Sequence, residues 1–173
     1  MRLIDCHMHV KGAGVEWSWD HNDRIIEAAD ALGIEQLAVS IPIMRGMPTY
    51  ECVRQCNDAV LDAMSRYDGR ILGYCYVVPG QQQSVDEIDR CLNAGMIGIK
   101  LYNQYKVWDP AVHPVLEKAI EERVPVLEHA GHPTTRDFRD EQPNISDAAD
   151  FARAARLYPE CMLIEAHIGG GGE

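Results

Sequence analysis

At 173 residues and 46% hydrophobic composition, the chain is long enough for one domain with a substantial core, residues 1–173, and too apolar for general disorder. Sixteen basic against 27 acidic side chains leave a net charge of -11, the wrong sign for attracting phosphate backbones or anionic lipid surfaces, which argues against nucleic acid and membrane partners. Met1-Arg2-Leu3-Ile4-Asp5 lacks the apolar core of a signal peptide and no later stretch reaches about 18 apolar residues, so the expectation is a cytoplasmic protein.

The first element is a strand, Leu3-Ile4-Asp5-Cys6-His7-Met8-His9. Side chains alternate across a strand with period two, which predicts that Asp5, His7 and His9 share one face, with both histidines at the carboxyl end. Two imidazoles about 7 Å apart along a strand can grip one metal ion. A loop from Lys11 to Asn22 follows, then a helical pattern over Asp23 to Leu32 that Gly33 stops. Gln36 to Ile41 reads as a second strand, and Tyr50 to Tyr67 as a helix with Val53, Val60, Leu61 and Met64 toward the core.

Ile71 to Val78, closed by Pro79-Gly80, is a third strand. Ser84-Val85-Asp86-Glu87 has the spacing of a capping box and opens a helix ending at Gly95. Met96 to Leu101 forms a fourth strand, Pro110 to Glu122 a helix with proline near its start, and Val124 to His129 a fifth strand. Ser146 to Leu157 is the next helix and Met162 to His167 the sixth strand, before Gly169-Gly170-Gly171-Gly172-Glu173. That glycine run lacks a following helix to hold an anion, and close backbone approach to a site explains it better.

Six nearly all-apolar strands alternating with five helices call for a parallel sheet covered by helices. The expected fold class is therefore α/β, a (β/α)8 TIM barrel with about six strands and five helices present. The usual length of such barrels, roughly 250 residues, implies a chain incomplete at its carboxyl end. An open six-strand arc would leave two unpaired edges.

In such a barrel the site lies at the carboxyl ends of the strands. Those ends carry His7 and His9 on strand one, Lys100 on strand four, His129 on strand five and His167 on strand six. Histidine is only seven of 173 residues, and its recurrence at three of six strand ends points to one shared site. The six cysteines fall mostly in apolar strand or helix patterns without the spacing of a disulfide framework, which predicts reduced thiols. Cys52 and Cys56 could share a helix face, but no second pair sits nearby to complete a zinc site.

Asp5-Cys6-His7-Met8-His9, Gly98-Ile99-Lys100-Leu101-Tyr102, Val126-Leu127-Glu128-His129-Ala130-Gly131 and Glu165-Ala166-His167-Ile168-Gly169-Gly170, in that succession, resemble the amidohydrolase superfamily. The nearest likeness is to its TIM-barrel metal-dependent hydrolases and decarboxylases. The resemblance implies a divalent metal held by His7, His9 and His129, commonly zinc, with manganese or iron as alternatives. His167 would lie beside the metal or bond its water or substrate. The family also uses an aspartate at the end of strand eight, which this sequence does not reach.

The expected activity is that of a metal-dependent hydrolase acting on a small carboxylated or amide/ester-type substrate through a metal-activated water. The alternatives are a decarboxylase of the same superfamily and a non-catalytic truncated barrel that binds metal or a partner. His167 and Lys100 are the catalytic candidates. In some branches of the superfamily a lysine at the fourth strand is carbamylated and bridges two metals; for Lys100 an ion pair with Asp5 or Glu165 is the expectation here, Glu165 sharing the parity of His167. His132, Arg136, Trp17 and Tyr102 are candidate substrate-binding residues. Trp19 and Tyr105 could join an aromatic wall, and Arg45 and Arg139 could clamp a carboxylate. His21 and His113 are expected to face solvent, and a homo-oligomer is compatible with the sequence.

Overall fold

The structure is a computed structural model that describes residues 2–11, 19–131 and 144–169. Among these, β1 (Leu3–His9), β2 (Ile34–Ser40), β3 (Ile71–Tyr76), β4 (Gly98–Leu101), β5 (Val126–Glu128) and β6 (Leu163–Glu165) pair in sequence order. Every neighbouring pair is parallel. Between them run α1 (Trp19–Ala31), α2 (Tyr50–Arg66), α3 (Ser84–Asn93), α4 (His113–Glu122) and α5 (Ala148–Leu157). The six-stranded sheet with its helices is the expected (β/α) half-barrel. The strands on its edges are β1 and β6, and on β1 Leu3 and Ile4 remain 40% and 51% exposed.

Two apolar layers flank the sheet. Toward the helices, Leu37, Val39, Ile99 and Val126 pack with Val53, Val60, Ile88 and Leu116, all nearly or fully buried. Complete burial of one such side chain stabilises by about 1.5–3 kcal/mol, so this layer holds the helices in place. Toward the lumen, Ala38, Tyr74, Leu127 and Ala166 form a smaller cluster with Leu72, Ile97 and Ile164. Gly98 belongs to this inner face, where a Cβ would stand 2.7 Å from the Pro125 carbonyl oxygen and 2.8 Å from the Tyr74 ring. A side chain there would push the floor of the lumen apart.

The helix side also holds a buried polar brace. Asn57 on α2 accepts from the Tyr76 amide at 2.8 Å and donates to the Tyr76 carbonyl and to Glu87 Oε1, each at 2.9 Å. Arg90 completes it with two bonds to the Glu87 carboxylate, at 2.8 and 2.7 Å.

Several local expectations are revised. α1 starts at Trp19 rather than Asp23, and the Trp19 ring packs on Tyr67 at 6.1 Å with the Arg66 guanidinium 4.5 Å above it. Trp19 therefore ties α1 to α2. Ser84 does not cap α3: Gln83 holds that position, Ser84 Oγ donates to the Val78 carbonyl, and Glu87 turns into the brace. A capping box does form on α5, between Asp147 and Asp150. Cys52 is exposed and Cys56 buried on α2. His113 is half-buried, donating to the Trp108 carbonyl at 3.3 Å and packing on Tyr158, and His21, in the first turn of α1, is half-buried. No helix among the described residues is long and apolar enough to cross a membrane.

Candidate functional site

His7 and His9, two residues apart, share a face by strand alternation, but β1 is irregular and Asp5 leaves that face. Asp5 pairs with Leu37 and Met8 with Val39, three steps on β1 against two on β2, so β1 carries one extra residue between them. A bulge of this kind shifts side-chain parity. Asp5 then falls on the helix side, lining a groove with Met8, Ile25 and Leu37, and does not share a face with His7 and His9. Its Oδ1 accepts from the His7 amide at 3.0 Å, the local bond an aspartate offers two residues onward.

In the lumen the His7 ring lies 5.0 Å from the His9 ring and 5.0 Å from the His167 ring, centroid to centroid. The His129 and His167 rings are 4.8 Å apart, with His167 Nε2 and His129 Nδ1 at 3.2 Å. Tyr102 stacks on His129 at 4.5 Å. His167 arrives by a different route from the one strand parity suggested. β6 ends at Glu165, Ala166 joins the inner cluster, and a 3-10 turn with His167 at φ 57° swings the imidazole in. Glu165 consequently shares the helix side with Leu163, because Ile164 faces the lumen.

Lys100 enters from β4, fully buried, with Nζ 3.5 Å from His7 Nε2 and 5.7 Å from the Tyr102 ring. No oxygen of Asp5 or Glu165 comes within 4.0 Å of that ammonium, so the expected ion pair does not form. The bulge and the turn at Ala166 explain this, since each leaves its carboxylate on the far side of the sheet. Burial pushes the Lys100 amine down to about 7, against a weaker opposing pull from Glu128. Burial, and after it the positive charge of Lys100 and the neighbouring imidazoles, holds both His7 and His129 down to about 3. His9 is lowered by burial as well, with its bond to Ser40 opposing.

These shifts have a chemical consequence: His7, His9 and His129 are neutral at pH 7, the state in which imidazole ligates metal. His9 Nδ1 lies 3.0 Å from the Ser40 carbonyl oxygen, which can only accept, so Nδ1 carries the proton and Nε2 keeps the lone pair. That backbone bond is the usual way a metal-binding histidine is oriented. The donor set therefore fits a divalent ion in chemistry, and His9 fits in tautomer as well. As placed, no three His, Cys, Asp or Glu side chains among the described residues already form a ligand group around one point.

Sequence alone assigns no role to Ser40, Glu128 or Ser146. Ser40 and Glu128 do carry a signal, each being a polar residue at the carboxyl end of an apolar strand. Glu128 is fully buried with its carboxyl pushed well up by burial, Ser146 Oγ donating to it at 2.6 Å in partial compensation. Arg45 sits exposed in the loop after β2, and the neighbouring Asn103 and Gln104 donate to the Met44 and Ile43 carbonyls. Tyr105 packs against the helix-side core. Trp17, His132, Arg136, Arg139 and the glycines from Gly170 onward lie outside the described residues.

A family profile described as Amidohydrolase matches residues 4–173. Among solved structures, the chain is similar to 2,6-dihydroxybenzoate decarboxylase from Rhizobium, with a TM-score of 0.69 at 18% identity over 98% of this chain and 67% of that one. It is similar to a manganese-bound 5-carboxyvanillate decarboxylase from Novosphingobium aromaticivorans, at TM-score 0.66 and 20% identity, covering 84% of this chain and 49% of that one. It is also similar to a probable 2-pyrone-4,6-dicarboxylic acid hydrolase from Acinetobacter baumannii, at TM-score 0.56 and 16% identity, over 99% and 73%. These likenesses show the fold, and the chain spans about half to three quarters of the proteins compared. No curated protein sequence matches.

Proposed function

The chain belongs to the amidohydrolase family, and from that premise we propose that it carries the histidine side of a divalent-metal site for hydrolysis of a small carboxylated or amide/ester-type substrate. The observation that carries the reading is the lumen cluster of His7, His9, His129 and His167 around a buried Lys100 with no carboxylate partner. His7, His9 and His129 would hold the ion, with zinc first and manganese or iron as alternatives. When bound, such an ion supplies Lewis acidity that polarises a carbonyl and acidifies water.

The chain's own residues supply the rest. Lys100 Nζ, with a pKa near 7, takes up or releases a proton in the neutral range beside His7. His167 stands against His129 at the mouth of the cluster and hydrogen-bonds substrate or water there. Tyr102 forms a wall behind His129, and the inner apolar layer closes the floor against water.

A second reading, decarboxylation, has its support in the neighbours named as decarboxylases of aromatic acids and in Lys100, whose neutral-range amine can deliver a proton to the carbon that loses carbon dioxide. The substrate in this second reading is a small unsaturated or aromatic carboxylate, and both readings place the chain in a reducing, cytoplasmic setting.

Metal analysis and calorimetric titration with Zn2+ and Mn2+ test the site. His7→Ala is expected to weaken binding at least tenfold, equivalent to about 1.4 kcal/mol. Undiminished affinity in that variant would overturn the ligand assignment. Assaying carbon dioxide release against ester or amide cleavage on benzoate-type acids separates the two reactions.

A further inference from the structure

His129 stands one residue beyond the last paired position of β5, where the sheet no longer dictates how a side chain is aimed. Its amide makes a last ladder bond to the Leu101 carbonyl at 3.2 Å. Beyond it the neighbouring backbone is taken over by one residue, Ser146. The Gly131 amide donates to the Ser146 carbonyl at 2.9 Å, and Ala130 pairs with Ser146 in an isolated parallel bridge. On the other flank, Ser146 Oγ reaches Glu128 Oε1 at 2.6 Å. Ser146 thus grips residues 128, 130 and 131, straddling the imidazole between them.

The direction of the side-chain bond follows from its partners. The Val107 amide donates to Ser146 Oγ at 2.9 Å, so the single hydroxyl proton goes to Glu128. Val107, Ala130, Phe151 and Ala154 form an apolar packing cluster in this region. Glu128 Oε2 finds no partner among the described residues. A leucine would pack at such a position without the cost of desolvating a carboxyl group, so the acid is explained by what it holds. Adjacent strand residues point to opposite faces, and locking Glu128 on the helix side sets the peptide plane from which His129 projects inward.

We infer that Glu128 and Ser146 are positioning residues for His129, setting from the helix side of the sheet where the third imidazole of the lumen cluster stands. The inference rests on the proposed metal site only in taking His129 as functional, and its first readout needs no metal. In NMR spectra of the whole chain, the ring protons of His129 report its stacking on Tyr102. Ser146→Ala and Glu128→Asp, which withdraws the acceptor by one methylene, are expected to shift those signals and to weaken Mn2+ binding at least fivefold. Glu128→Gln and Ser146→Thr keep the acceptor and the hydroxyl and are expected to restore both.

Phe151→Leu, a packing change beside the pair, is the control and is expected to lower stability while leaving the His129 signals in place. Should Ser146→Ala not fold, Glu128→Asp decides. Unchanged ring signals in Glu128→Asp, or an equal shift in Phe151→Leu, would overturn the inference. A wild-type chain that binds no Mn2+ would count against the metal site but leave the NMR comparison standing.

Discussion

Glu87 and Lys100 are both buried ionisable side chains, one on the helix side of the sheet and one in the lumen, and their surroundings are opposite. Glu87 receives two bonds from Arg90, one from Asn57 and one from the Tyr50 hydroxyl at 3.3 Å, and Arg90 is itself paired with Asp58 at 2.8 Å. Among the described residues Lys100 has one hydrogen-bond contact, His7 Nε2 at 3.5 Å, and that neighbour has no charge to offer at neutral pH. Burial would raise the Glu87 carboxyl, yet Arg90 and Asn57 hold it below its usual range. For Lys100 burial prevails, because the opposing carboxylate, Glu128, pulls only weakly. A saturated network of this kind locks two helices to a strand end, whereas an under-partnered lysine among imidazoles adds no such lock.

The largest break in that contrast is expected from Asn57→Leu. It strands the Tyr76 amide and carbonyl and removes one bond from Glu87, and should cost about 3–4 kcal/mol in urea unfolding. Lys100→Met should do far less, staying within about 1 kcal/mol of the parent or gaining stability, since it removes a buried charge that has no counter-ion. Were Lys100→Met as damaging as Asn57→Leu, the lysine would be a structural element and the contrast would fail.

The smallest effect is in pH. Because the folded Glu87 pKa is depressed, its contribution is full above the unfolded value of about 4.3 and is lost as pH falls through the folded one. Glu87→Gln should therefore flatten the acid limb of melting temperature against pH between 6 and 3. An acid limb parallel to the parent's would show that the brace does not rely on the ionised carboxylate.

Much of the site was readable because strand ends in a parallel barrel converge, so His7, His9, Lys100, His129 and His167 could be grouped from position alone. Tyr102, one residue past β4, followed the same rule. What failed was parity. Asp5 and Glu165 were expected to face Lys100, and a one-residue bulge in β1 and a turn at Ala166 put both on the other side. Neither irregularity has a marker in the local pattern, because a strand with an extra residue keeps the same composition. The capping box expected at Ser84 failed for a related reason, the tertiary demand of Asn57 and Arg90 for Glu87 outweighing a cap bond.

Apolar runs, breakers and periodicity by themselves determined the alternation of strands and helices and the parallel sheet, since these depend on which residues can be buried and where the chain can turn. The tertiary structure alone decided which neutral imidazoles touch, that Lys100 lacks a carboxylate partner, and that Ser40, Glu128 and Ser146 stand behind the histidines. Those outcomes depend on side-chain direction and on burial by distant elements. A single shifted residue reverses the first, and the second exists only once the sheet and helices have packed.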